Sequence, residues 1–205
     1  MRLPCDAALV LIDLQLAIDD PRWGPRNNPG AEAAIVNLLA AWREQNLPVI
    51  HIRHDSTEAG SPYRPDRPGH AFKPEAAPLA GEIVIGKATN SAFIAPDLER
   101  ALDAIGATTL VMSGVLTNNS LEASVRHGGN LGYRIFVVAD ACWAVDKRDL
   151  NGKLWPARDM HDLSLANLQG EYAQIVSCEM ACKAAATATM RQRRDRLRLA
   201  RQAPG

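Results

Sequence analysis

The chain has 205 residues, 47% of them hydrophobic and 22% charged, which fits one globular domain with a full-sized core and leaves little room for two. Its 23 basic and 23 acidic side chains cancel, arguing against nucleic acid or an anionic membrane as partner, and no apolar run is long enough to span a bilayer. Four scattered cysteines, Cys5, Cys142, Cys178 and Cys182, lack metal-finger spacing and read as reduced thiols. Met1-Arg2-Leu3-Pro4 has none of the apolar stretch of a signal peptide, so the expected compartment is the cytoplasm.

The run from Ala7 to Asp13 is apolar without alternation, as in a strand covered on both faces of a parallel sheet. A Pro-, Gly- and Asn-rich stretch follows from Asp19 to Gly30. Ala31 to Gln45 then reads as a helix, with Ile35, Leu38, Leu39 and Trp42 on one stripe. Pro48 to His54 is the second strand. The segment from Asp55 to Leu79 carries five prolines and is too long for a plain connector, so a lid or binding segment is expected there.

Glu82 to Lys87 is the third strand, and Pro96 to Ile105 a helix with proline in its first turn. Thr108 to Val115 is the fourth strand, with a helix from about Asn118 to Asn130. Arg134 to Ala141, Asp159 to Leu168 and Ala173 to Cys178 complete the alternation as strand, helix and strand. Alternation of this kind predicts right-handed crossovers and a parallel sheet flanked by helices, with the site beyond the carboxyl ends of the strands. Asp13, Lys87 and the loop from Gly114 all stand at such ends.

From Met190 to Gly205 six arginines meet a single acid, Asp195. This basic extension, residues 190–205, is set apart from a domain of residues 1–189 and read as a solvated helix or a contact for an acidic face of a partner subunit, with nucleic acid or anionic lipid binding the alternative.

Three ordered segments carry the chemistry: L-I-D-L-Q at Leu11 to Gln15, G-K-A-T-N-S-A-F at Gly86 to Phe93, and G-V-L-T-N-N-S at Gly114 to Ser120. Together with G-N-L-G-Y at Gly129 to Tyr133 and V-A-D-A at Val138 to Ala141, they resemble the cysteine hydrolases of the isochorismatase-like superfamily, from about Ala8 to Val176. The resemblance implies a six-stranded parallel sheet in the order 3-2-1-4-5-6 and assembly as a dimer or tetramer. It also implies a triad of Asp, Lys and Cys. Asp13 and Lys87 match that pattern, whereas Ser120 stands where the family has its nucleophilic cysteine.

In the triad the resemblance implies, Asp13 is the general base, Lys87 holds charge, and position 120 attacks the carbonyl carbon. The family further implies a cis peptide at Val115-Leu116 and an oxyanion hole from the N–H groups of Leu116 and Ser120. A hydroxyl ionises far less readily than a thiol, so Ser120 leaves three readings open. It is a Cys→Ser replacement that preserves binding, a natural serine in a working enzyme, or the mark of a binding protein that has lost turnover.

The expected activity is hydrolysis of a C–N bond in a small linear amide, carbamoyl or ureide. The alternative is vinyl ether hydrolysis by the aspartate without covalent catalysis, as in the isochorismatases proper. Candidate substrate contacts are Gln15, Trp23, His54, Tyr63, Phe72, Asn90, Phe93 and Asn119, each of which lies on a loop or strand end near the triad.

No cofactor is expected, since neither G-x-G-x-x-G nor a Walker loop is present. No metal is expected either. The zinc ligands that the resemblance would import from nicotinamidases, an Asp-x-His pair and a later His, have no counterpart in His54-Asp55 and the distant His70 unless the proline-rich loop folds back tightly. His51, inside an apolar strand, is read as a core histidine, and His127 and His161 as structural.

Overall fold

The computed structural model describes residues 1–94 and 96–188, so the boundary at 189 and the arginine-rich extension lie outside the described residues. Six parallel strands form one sheet: β1 (Ala8–Ile12), β2 (Val49–His54), β3 (Ile83–Lys87), β4 (Thr109–Val115), β5 (Arg134–Trp143) and, after a two-stranded ribbon, β8 (Gln174–Val176). Their order is β3-β2-β1-β4-β5-β8, which is the order expected from the sequence. The ribbon pairs β6 (Lys147–Arg148) with β7 (Leu154–Trp155). Two residues per strand leave no periodicity to read, so this hairpin was not anticipated.

The unbroken apolar strands split their side chains between two cores because successive residues point to opposite faces. Leu9 and Leu11 of β1 join Ile35, Leu38, Leu39 and Trp42 of α1 (Ala31–Glu44) on one face. Residues 178–188, helical to the last described position, add Ala181, Ala184, Ala185 and Ala188 there. Ala8, Val10 and Ile12 face the other way. They pack with Leu98 and Leu102 of α2 (Asp97–Ile105), Val125 of α3 (Glu122–Asn130), and Leu165 and Leu168 of α4 (Ala157–Leu168). No described helix is long and apolar enough to cross a membrane.

Three boundaries differ from the sequence expectation. The helix expected from Asn118 begins at Glu122, because Thr117–Leu121 form a wider π-type turn in which Asn118 and Asn119 leave helical geometry. β5 runs on to Trp143, two residues past Ala141, since a register shift against β4 between Met112 and Gly114 lets Cys142 and Trp143 pair with Gly114 and Val115. The last strand keeps only Gln174–Val176, and Cys178 already belongs to the final helix. Cys178 and Cys182 are one helical turn apart, free, with sulfurs 3.8 Å apart.

Candidate active site

Three strand ends converge on one small cavity of about 170 Å³. Asp13 ends β1 with φ of 54°, a left-handed backbone uncommon for a non-glycine residue. Its N–H is held by the Ile52 carbonyl at 3.0 Å. Gly114, paired in register with Ile12, has φ of 128°, and a Cβ there would stand 2.2 Å from the Ile12 oxygen. Only glycine allows β4 to pass this close to β1. The Val115–Leu116 peptide that follows is cis, and the chain then enters the π-type turn that carries Ser120.

Lys87 reaches between the other two residues. Its Nζ donates to Asp13 Oδ2 at 2.7 Å, to the Thr89 carbonyl at 3.0 Å and to Ser120 Oγ at 3.4 Å. All three side chains are buried. The second carboxylate oxygen, Asp13 Oδ1, is buried without a hydrogen-bond partner. Burial pushes the Asp13 carboxyl above its ordinary value, against the pull of the Lys87 ammonium. A carboxylate with one oxygen held and the other free beside a hydroxyl is placed to take up a proton.

Of the other expected contacts, Trp23, His54, Tyr63, Asn90 and Asn119 line the cavity, as do Val115 and Leu116. His54 is brought there by sheet register: it pairs with Lys87 across β2 and β3, and its Nδ1 lies 3.5 Å from Lys87 Nζ. Burial, then the Lys87 charge, holds its imidazole below the usual value, which favours the neutral ring. Tyr63 packs edge-on against both His54 and Trp23.

Gln15, Phe72 and Phe93 do not line the cavity. Gln15 is fully buried and its amide is spent on backbone: Nε2 donates to the His54 and His70 carbonyls at 3.1 and 2.9 Å, and Oε1 accepts from the His54 N–H at 2.7 Å. Phe72 bridges to Gln15 and packs on the His51 ring. Phe93 turns into the core against His127 and Tyr133. Ile18, Ser56, Glu58 and Ser61 line the cavity without having been expected. Three of these come from the long proline-rich loop, which the sequence marked as a segment but not residue by residue.

That loop does fold back tightly, and His70 Nε2 meets Asp55 Oδ1 at 2.7 Å. Yet His54 turns away toward Lys87, and among the described residues no group of three His, Cys, Asp or Glu side chains is placed to hold a metal ion. His51 is buried with one ring nitrogen bonded to Glu82 at 2.9 Å. His127 bonds Ser91 at 3.0 Å, and His161 braces the π-type turn through Thr117 at 2.8 Å.

Residues 7–180 match the model of the isochorismatase domain. An uncharacterized isochorismatase family protein of Bacillus subtilis, YrdC, is 38% identical over 84% of this chain and 92% of its own length. The maleamate amidohydrolase of Pseudomonas putida is 29% identical over 83% of this chain and 82% of its own. A crystal structure of an isochorismatase-family protein from Chromobacterium violaceum superposes with a TM-score of 0.87 at 51% identity, covering 91% of this chain and 97% of that one.

Proposed function

The chain belongs to the isochorismatase family of hydrolases, and from that premise we propose that it hydrolyses the C–N bond of a small amide, carbamoyl or ureide compound. The observation that carries this reading is the buried constellation in which Lys87 holds Asp13 Oδ2 and Ser120 Oγ while Asp13 Oδ1 stays free. Asp13 takes the Ser120 proton as Oγ bonds to the carbonyl carbon. The N–H groups of Leu116 and Ser120 receive the negative charge that develops on oxygen. The C–N bond then breaks, and Asp13 returns the proton to the departing nitrogen. Water attacks the resulting ester by the same route, releasing the acid and restoring Ser120. Lys87 stabilises the partial negative charge on Ser120 Oγ as it loses its proton and again as the ester is cleaved.

A relative named as an amidohydrolase supports amide over other bonds. Occurrence as a cytoplasmic homo-oligomer, dimer or tetramer, belongs to the same proposal, and sedimentation at micromolar concentration tests the assembly.

The hydroxyl at position 120 favours a second reading, in which Asp13 protonates a vinyl ether without a covalent intermediate. Ammonia release from an amide panel, measured for the chain and for Ser120→Cys, Ser120→Ala and Asp13→Asn, separates the two. C–N hydrolysis predicts turnover that rises in Ser120→Cys and vanishes in Ser120→Ala and Asp13→Asn. Vinyl ether cleavage that persists in Ser120→Ala would establish the second reading. Silence of every form toward both bond types would leave a binding protein.

A further inference from the structure

The cavity carries one carboxylate more than the chemistry of Asp13, Lys87 and Ser120 uses. Glu58 stands exposed at its rim, on the loop that also supplies Ser56, Ser61 and Tyr63. Among the described residues, no lysine or arginine lines the cavity. Lys87 lies behind the wall, its charge matched by Asp13 at 2.7 Å. Arg22 and Arg53, next in sequence to the lining residues Trp23 and His54, have partners of their own: Arg22 pairs with Asp20 at 3.0 Å and bonds the Gly60 carbonyl, and Arg53 pairs with Asp55 at 2.8 Å. Burial and the Lys87 charge favour the neutral form of His54. With the Asp13–Lys87 pair cancelling, the cavity holds one net negative charge.

Trp23, His54 and Tyr63 line the same cavity as Glu58. Tyr63 is centred 6.3 Å from Trp23 and 5.5 Å from His54, with planes at 64° and 78°. Aromatic rings lining a cavity together with a carboxylate are the kind of donor set that holds an alkylammonium. A carboxylate on the ligand would instead face Glu58 with no cation to receive it. The volume of about 170 Å³, below the roughly 300–1,000 Å³ of pockets for drug-sized ligands, suits a compact molecule.

Resting on the amide reading above, we infer that the substrate is a compact amide that also bears a positive charge, an alkylammonium seated between Trp23, Tyr63 and Glu58. The substrate thus has its carbonyl at Ser120 and its cation at the rim. Glu58 is the residue that selects for charge and takes no part in bond breaking.

The test uses three ligands of similar size: betaine amide, which is permanently cationic, its uncharged isostere 3,3-dimethylbutanamide, and the anion succinamate. Binding to the unaltered chain is measured by calorimetry or ligand-observed NMR, independently of turnover. Betaine amide is expected to bind about three- to tenfold tighter than its uncharged isostere, the range for one partly screened charge pair, with succinamate weakest. Glu58→Gln removes the advantage and Glu58→Lys reverses the order, with circular dichroism confirming the fold of each. Succinamate binding as well as betaine amide, an advantage that survives Glu58→Gln, or no binding of any of the three overturns the inference. If the charge order holds while no amide is hydrolysed, the hydrolase reading falls and only the cation-binding role of Glu58 stands. Turnover that prefers the anion has the opposite meaning.

Discussion

Lys87 Nζ and Asp13 Oδ2 form a buried ion pair at 2.7 Å, and removal of one partner strands the other. A lone carboxylate at this depth is expected to cost about 3 kcal/mol of stability. Lys87→Met should therefore unfold at markedly lower urea, and adding Asp13→Asn to it should recover most of the loss. A single-variant change of less than about 1 kcal/mol would mean that the pair contributes little to stability.

The pH dependence follows from the raised Asp13 carboxyl. Its folded value lies above the ordinary 3.8, with burial the leading cause, so the folded state holds this proton more firmly than the unfolded chain. The corresponding stability is full below the unfolded value and is lost as pH rises through the folded one. Activity runs the other way, because only the ionised carboxylate accepts a proton. The acid limb of kcat/KM for the Ser120→Cys form should lie above pH 3.8. A limb at or below that point would remove Asp13 from the role of base.

Gln15 joins the end of β1 to β2 and to the proline-rich loop through three bonds to backbone groups. Gln15→Ala leaves those half-buried backbone groups without this partner and should cost about 2 kcal/mol. Chemical denaturation measures the loss. With Gln15 outside the cavity, KM for a small amide at a temperature where the variant is folded should stay within about twofold, well under 1.4 kcal/mol.

Gly114 has no room for a side chain. In Gly114→Ala the new Cβ meets the Ile12 backbone and a φ of 128° together, so the strand must shift or the fold must loosen. The expected loss exceeds about 3 kcal/mol, read as a fall in Tm. Gly132, with φ of 92° and open space around it, is the control: its alanine variant carries the conformational penalty alone, about 1 kcal/mol.

The long apolar runs of β1 and β4 and the striped helices between them were legible because each pattern is local, set by which faces a strand or helix must bury. That information sufficed to place Asp13, Lys87 and the loop from Gly114 at three strand ends, while the strand order that brings them together and the part of position 120 were implied by the family resemblance. The hydroxyl at 120 was equally plain, since it depends on no contact.

Side-chain direction off the strands was another matter. Gln15 lies two residues beyond Asp13 and looked like a substrate contact, yet its amide is held by His70, 55 residues away. Glu58 and Ser56 carried no signal of their own in the sequence, and line the cavity only because the long loop folds onto it; His54 was a candidate contact, but its place beside Lys87 is set by the register of β2 on β3. Local periodicity determines which residues end a strand. Where a polar side chain finds its partner is decided by hydrogen bonds and packing between segments far apart in the chain, and these exist only once the sheet has assembled and the loop has closed upon it.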